Sequence, residues 1–449
     1  MSPSTRLESI SLKNYRCFEN LTVEFDPQLT VLVAHNGAGK STVLDAISVG
    51  LSAFVAGFDT GKRQSINHDD VRQQVIPLSV REVQSQYPAV LECQGMIAEQ
   101  ALQWERSKLH KNDRSYSEGH PAFLCGKGLM QAIASGSTET VLPLIAYYGT
   151  GRLWNEKKLT DAKSLKDQNT RTAGYLDCLH PSSSYRYFVK WLEETNEAHN
   201  EIRDQNLERL GDEGLKLETP YQALLKGVSL AVNACLHQTG WGNLRYSSIH
   251  KGPVIEHPIH GSLKVQQLSD GVRNMIAMVA DIAYRALCLN KHLSTDAVQQ
   301  TPGIVLIDEV DMHLHPEWQQ KILGQLRTAF PAIQFIVTTH SPQVLSTIQS
   351  KHIRLLTTNT DQQTIAAIPL EESYARSNAA VLETIMHGSP IPPVKEKPLL
   401  AQYRTLIEQG DIQAAEVDQL KKKLVSALGA DHPELIQLDM IRQRREILG

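Results

Sequence analysis

The stretch VLVAHNGAGKST, residues 31–42, concentrates groups that handle phosphate. Gly37 and Gly39 free the backbone to bend and to approach an anion closely. Lys40 can reach the β- and γ-phosphates of a nucleotide, and the Ser41 hydroxyl, followed by Thr42, suits Mg²⁺. A helix opening at Ser41 would point its free N–H groups at the same anion. Ala34 stands where the G-x-x-x-x-G-K-[ST] pattern has its first glycine, and alanine fits a strand end if its φ is negative. The loop residues Ala34, His35, Asn36, Gly37, Ala38, Gly39, Lys40, Ser41 and Thr42 are therefore the expected contacts of bound ATP.

Three further sites fit that loop. Asp308 and Glu309 follow the apolar run IVLI, and paired carboxylates at a buried strand tip are costly unless they serve an ion or a reaction. Asp308 fits the Mg²⁺ shell, together with Ser41, and Glu309 is suited to orient or deprotonate an attacking water. His340 ends the next apolar run, FIVTTH, from which it could reach a γ-phosphate. In LSDGVRNMIAMVADIAYRAL, residues 268–287, Ser269 is a good N-cap, and Met275, Ile276, Val279, Ile282 and Ala283 mark one apolar helical face.

The elements that must position these groups are legible in the pattern. LESISLK (7–13) and LTVEF (21–25) alternate as half-buried strands do, and TVLVA (30–34) reads as a strand buried on both faces, leading into a helix over 43–55. VLPLIAYYG (141–149), GIVLIDE (303–309) and FIVTTH (335–340) read as further buried strands, the last two separated by a helix, PEWQQKILGQLRTAF. That alternation predicts a parallel α/β organisation. The span 155–260 is polar and helical, as in FVKWLEETNEAHNEIRDQNLERL (188–210), and the Pro-rich stretch 391–398 precedes a charged helical tail.

Composition narrows the class. The 449 residues are 41% apolar and 21% charged, as in a globular protein, with no membrane-length apolar run and no signal-peptide core at the N-terminus. Six scattered cysteines without a C-x-x-C argue against a zinc ribbon or disulfide framework and fit a reducing cytoplasm. A net charge of −4 leaves any nucleic-acid contact to local patches, for which 106–114 and 152–171 are candidates.

Loop, LSDG, Asp–Glu pair and histidine stand in the order of the ABC-type ATPases. LSDG resembles that family's LSGGQ signature, and NYRCF before the loop resembles the RecF/SMC/OLD branch. Within the branch, LPLIAYYGTGRLW, DEVDMHLHPEWQQ and TTHSPQVL resemble the PtuA-type ATPases of Septu antiphage defence, which also accompany retrons. The resemblance covers 7–55 and 263–346 well. It implies an α/β ABC-type P-loop head with an inserted helical subdomain and a helical C-terminal tail. The expected divisions are a first head part at 1–100, an insertion at 101–260, a second head part at 261–375 and a tail at 376–449.

The resemblance also implies that Ser269, Asp270 and Gly271 complete a nucleotide site on a second subunit. It implies a homodimer or larger oligomer, a partner HNH endonuclease of PtuB type, contact with DNA or other nucleic acid, and, in a retron, a reverse transcriptase with its msDNA. Ala34, Asp270 and Val272 depart from the family pattern, and Gln94 is a weak match for the Q-loop glutamine. The tail stripe Val417, Leu420, Leu424 and Leu428 either packs on its own domain or docks a partner. A RecF-like DNA repair ATPase without a nuclease is the alternative. Only 109 residues follow His340 and no strand-borne D-x-D is among them, which disfavours an OLD-type nuclease.

Overall fold

The computed structural model describes residues 4–76, 82–113, 120–151, 170–181, 185–389, 394–409 and 415–448. The chain opens with the antiparallel strands β1 (Arg6–Tyr15) and β2 (Phe18–Glu24), then runs through β3 (Leu29–Val33) into a helix at Lys40–Val55. A small antiparallel pair, β4 (Gln73–Ile76) and β5 (Glu82–Ser85), precedes the hairpin β6 (Ala89–Ile97) and β7 (Gln100–Lys108). β8 spans Leu144–Tyr148, and β9 (Gly242–Ser247), β10 (Gly252–His257) and β11 (Gly261–Lys264) form a three-stranded antiparallel sheet. Last come β12 (Gly303–Ile307), β13 (Ile333–Thr338), β14 (Ile353–Thr358) and β15 (Thr364–Ala367).

The central sheet has the order β15-β14-β3-β13-β12-β8, parallel except for β15 at one edge. β3, β8, β12 and β13 are buried along their whole length, which is why each reads as a near-continuous apolar run, broken only by the buried Thr30, Gln334 and Thr338, rather than as an alternation. A second sheet, β2-β1-β6-β7, is antiparallel and alternates, with Leu7, Ile10 and Leu12 inward. Gln334 joins the two sheets. Its side-chain amide accepts the N–H of Leu7 (2.7 Å) and donates to the carbonyls of Leu7 and Asp26 (both 2.8 Å).

Several expectations change in detail. The 101–260 span contains most of β7, all of β8 in the central sheet, and β9 and β10, alongside the helices Tyr185–Leu210 and Pro220–Leu236. The stretch expected to form one helix before β13 makes two, Pro316–Gln319 and Ile322–Ala329, with a tight i→i−3 bond from Lys321 to Trp318 at the junction. The helix Asp270–Leu289 is buried on every side, not on one face: all its residues but Asp270 and Arg273 are covered. Gln94 lies within β6, paired with Ser9 and Gln103, and not in a loop. Arg106 and Lys108 are buried and so cannot contribute to a phosphate patch, while His110 and Lys111 are exposed; Arg114 and 152–169 fall outside the described residues.

Residues 1–381 form one compact unit and 382–449 a second. In the second, Leu400, Tyr403, Ile407, Val417, Leu420, Leu424, Leu435 and Leu438 make one core among the helices Lys397–Gln409, Ala415–Leu428 and Pro433–Leu448. The Val417–Leu428 stripe therefore packs on its own unit. No helix among the described residues is long and apolar enough to cross a membrane.

Gln334 is the most testable of these contacts. Gln334→Leu keeps the volume but strands the amide and carbonyl of Leu7, and should lower unfolding stability by about 2–3 kcal/mol in urea denaturation. A loss no larger than that of an exposed substitution would contradict the role assigned to it.

Candidate functional site

Parallel strands end on one edge of the sheet, and their carboxyl-end crevice is where ligands of such sheets bind. β3, β12 and β13 deliver three of the singled-out groups to that edge: the loop 34–41, the Asp308–Glu309 pair and His340. β13 lies between β3 and β12, so His340 emerges between the loop and the acidic pair.

The loop has the geometry its residues suggest. Gly37 and Gly39 adopt φ of +79° and +94°, which side chains rarely tolerate, whereas Ala34 is not among the positive-φ residues. A Cβ on Gly39 would also come within 2.4 Å of the Phe18 ring, so the β1–β2 turn closes directly against the loop. The Lys40 ammonium donates to the carbonyls of Ala34 (3.1 Å) and His35 (3.4 Å). Burial lowers the Lys40 pKa from its ordinary value, and the charges of Asp308 and Glu309 oppose that drop.

The acidic tip meets the loop. Ser41 donates to Asp308 Oδ2 at 2.8 Å, and Thr338 donates to Asp308 Oδ1 at 2.6 Å. The same Thr338 oxygen accepts the N–H of Glu309 at 2.8 Å. Glu309 sits at φ +48°, a strained backbone that turns its side chain away from the strand line. Thr339 donates to Asp311 at 2.5 Å, holding the segment after the pair. His340 is half-buried. Burial, and then the charge of Lys40, hold its pKa below the ordinary histidine value, while Glu309, Asp311 and Asp308 oppose that drop.

The LSDG segment begins its helix as the N-cap rule asks, yet the Ser269 hydroxyl makes no capping bond and both Ser269 and Asp270 are exposed. Arg273 holds the Asp270 carboxylate at 2.8 Å. Gly271 has a reason within its own chain: a Cβ there would lie 2.3 Å from the His313 carbonyl oxygen. His315 caps the helix at Pro316, and no group of His, Cys, Asp and Glu among the described residues could hold a metal by itself.

Sequence reasoning overlooked four groups. Thr338 and Thr339 orient the acidic segment, and the doubled threonine before His340 was their only signal. Arg16 ties Asp45 (2.5 Å) and Asp70 (2.8 Å) together beside the loop helix, and Tyr147 donates to Asp45 at 2.9 Å. Arg16 lies in the quoted NYRCF, but its partners are distant in sequence.

A glycine loop between a buried strand and a helix, with a serine hydroxyl on a carboxylate two strands away, defines a P-loop nucleotide-binding ATPase. Residues 9–219 match the family model "AAA domain", and residues 181–346 match "AAA domain, putative AbiEii toxin, Type IV TA system". The retron Ec83 probable ATPase of Escherichia coli is 28% identical, over 98% of this chain and 87% of that protein. The retron Vc95 probable ATPase of Vibrio cholerae is 27% identical, over 93% and 86%. The Septu protein PtuA of Bacillus mycoides is 32% identical over 36% of this chain and 22% of that one. The chain carries matches to ATPase domains of the AAA type and is similar to the retron ATPases over nearly its whole length and to Septu PtuA over about a third of it.

Thr338→Val removes a hydroxyl that serves Asp308 and Glu309 at once, at nearly constant volume. ATP hydrolysis should fall at least about tenfold, with stability reduced by about 1–2 kcal/mol. An unchanged rate in a steady-state phosphate-release assay would show that Thr338 does not orient the pair.

Proposed function

We propose that this chain is the ATP-binding and ATP-hydrolysing subunit of a cytoplasmic antiphage defence complex. It pairs with a second copy through shared nucleotide sites and restrains or releases a PtuB-like HNH nuclease that acts on nucleic acid. The observation that carries the ATPase part is the Ser41–Asp308–Thr338 chain of hydrogen bonds at the carboxyl ends of β3, β12 and β13. The defence part is supported by likeness to retron ATPases across most of the chain's length and to Septu PtuA over 36% of it. In a retron setting, a reverse transcriptase and its msDNA are the further partners.

The residues take the following roles. The N–H groups from Asn36 to Thr42 and the Lys40 ammonium bind the phosphates, with Ala34 and His35 shaping the strand exit. Two oxygens that already meet, on Ser41 and Asp308, are the hard donors Mg²⁺ takes, and they would hold it there. When bound, Mg²⁺ neutralises charge building on the β- and γ-phosphates. Glu309, its backbone anchored by Thr338, orients the attacking water and accepts its proton. His340 donates a hydrogen bond to the γ-phosphate. Ser269, Asp270 and Gly271 face the nucleotide of the second copy. The uncommitted Ser269 hydroxyl supports that role, and Arg273 offsets the Asp270 charge that would otherwise repel phosphate.

Glu309→Gln should bind ATP normally and hydrolyse it about 100-fold or more slowly, whereas Lys40→Ala should lose binding. Ser269→Arg should bind ATP without hydrolysing it, and mixing it with Lys40→Ala should restore about one active site per heterodimer. Wild-type turnover by Glu309→Gln would sink the water-orienting role. Heterodimers that form yet stay inactive would exclude shared sites. Co-purification with a neighbouring HNH protein, lost or gained with nucleotide, tests the regulatory part.

A further inference from the structure

The parallel strands have a second edge. The amino-terminal ends of β3, β13 and β14 lie one strand length, roughly 17–20 Å, from the nucleotide edge. A polar cleft of about 1050 Å³ opens there, lined among others by Lys321, Arg327 and Lys351. Its carboxylate, Asp26, is already held by His352 at 3.1 Å. Lys321 is paired with Glu317 (2.7 Å), but Arg327 is exposed and bonds the neutral amide of Gln28 (3.0 Å), and Lys351 is exposed. The cleft is thus a local positive surface on a chain whose net charge is −4.

His237 also lines a second cavity, of about 660 Å³, walled by Trp241 and His257 at one end of the three-stranded sheet. Trp241 and the exposed His260 lie nearly parallel, 6.0 Å apart at 17°, and His257 packs against both, at 4.8 and 4.6 Å. The cluster is built rather than incidental. His257 Nδ1 accepts the N–H groups of Ile259 (3.1 Å) and His260 (3.4 Å), which fixes the orientation of the ring. Gly240, at φ +79°, admits that ring: a Cβ would lie 2.6 Å from His257 Nε2. Beside the rings, Asn243 donates to Glu256 at 3.1 Å, setting an amide and a carboxylate where the edge of a flat ring could meet them.

Aromatic faces adjoining a cationic groove are the arrangement that holds single-stranded nucleic acid: bases stack, and phosphates track the charges. We propose that this surface binds a single strand, with a base on the Trp241–His260 platform and its neighbouring phosphates along the Arg327–Lys351 cleft. From the proposed function it takes only that nucleic acid is a partner, and it is a site separate from the nucleotide edge.

The test uses the full chain and fluorescein-labelled oligothymidylate and oligouridylate of about 20 nucleotides, by anisotropy across a salt series, with a blunt duplex as comparator. The single strands should bind in preference to the duplex. Trp241→Ala should weaken them about 5- to 100-fold with the salt slope kept. Arg327→Ala with Lys351→Ala should flatten the slope by about 1.4. Both variants should hydrolyse ATP as wild type does. His260→Ala, at an exposed position, serves if Trp241→Ala does not fold. No binding by the wild type at roughly 50 mM salt, equal affinity in folded variants, or a duplex preferred over the strands would overturn the proposal. A protein seated on Trp241 in place of a strand would do the same. Loss of oligonucleotide binding with hydrolysis intact leaves the ATPase reading standing, and inactive Glu309→Gln with intact strand binding separates the two the other way.

Discussion

The hydrogen bond from Ser41 to Asp308 joins residues 267 positions apart, and the rest of the first unit is arranged so that it can form. It requires β3 and β12 to be parallel, in register and one strand apart, with β13 between them. That middle strand is more than a spacer. Its last threonine fastens the other oxygen of Asp308 and the next amide, so three strands share one small polar junction at the carboxyl edge of the sheet. A buried carboxylate with both oxygens bonded is tolerable, and an unbonded one would not be.

A second polar junction links the Asp270–Leu289 helix to the same sheet. Arg285, 1% exposed, bonds Asp281 (2.8 Å) and the carbonyls of Gly174 (2.7 Å) and Leu176 (3.1 Å). Tyr148 donates to Asp281 at 2.8 Å, and the Tyr148 carbonyl accepts the N–H of Asp308 at 2.8 Å. Such a pair adds little net stability over an apolar replacement, but removing one partner leaves a stranded charge. The helix, the β8 tip and the acidic tip are therefore locked in one relative position.

The parts of this fold written in local pattern were legible. The buried strands, the loop glycines and the acidic tip announce themselves because an apolar run, a positive φ and a polar strand end are properties of a few consecutive residues. What the sequence concealed depends on residues meeting from afar. Thr338 is an ordinary strand threonine until Asp308 is set beside it, and Arg16 has no evident task until Asp45 and Asp70 approach. The Asp270–Leu289 helix looked amphipathic because its buried Asp281 and Arg285 count as polar, although they satisfy one another inside. The tail stripe was ambiguous for a different reason: an apolar helical face does not say whether its cover belongs to the same chain.

The left-handed backbone at Glu309 sets a stability optimum against the role proposed for its carboxylate. Glycine would relax that φ of +48° and stabilise the turn by about 1 kcal/mol, while deleting the carboxylate proposed to orient water. Design that scored folding alone would therefore drift toward glycine at 309, yielding a more stable chain without that carboxylate. With glutamate there, this molecule sits below the stability its fold could reach.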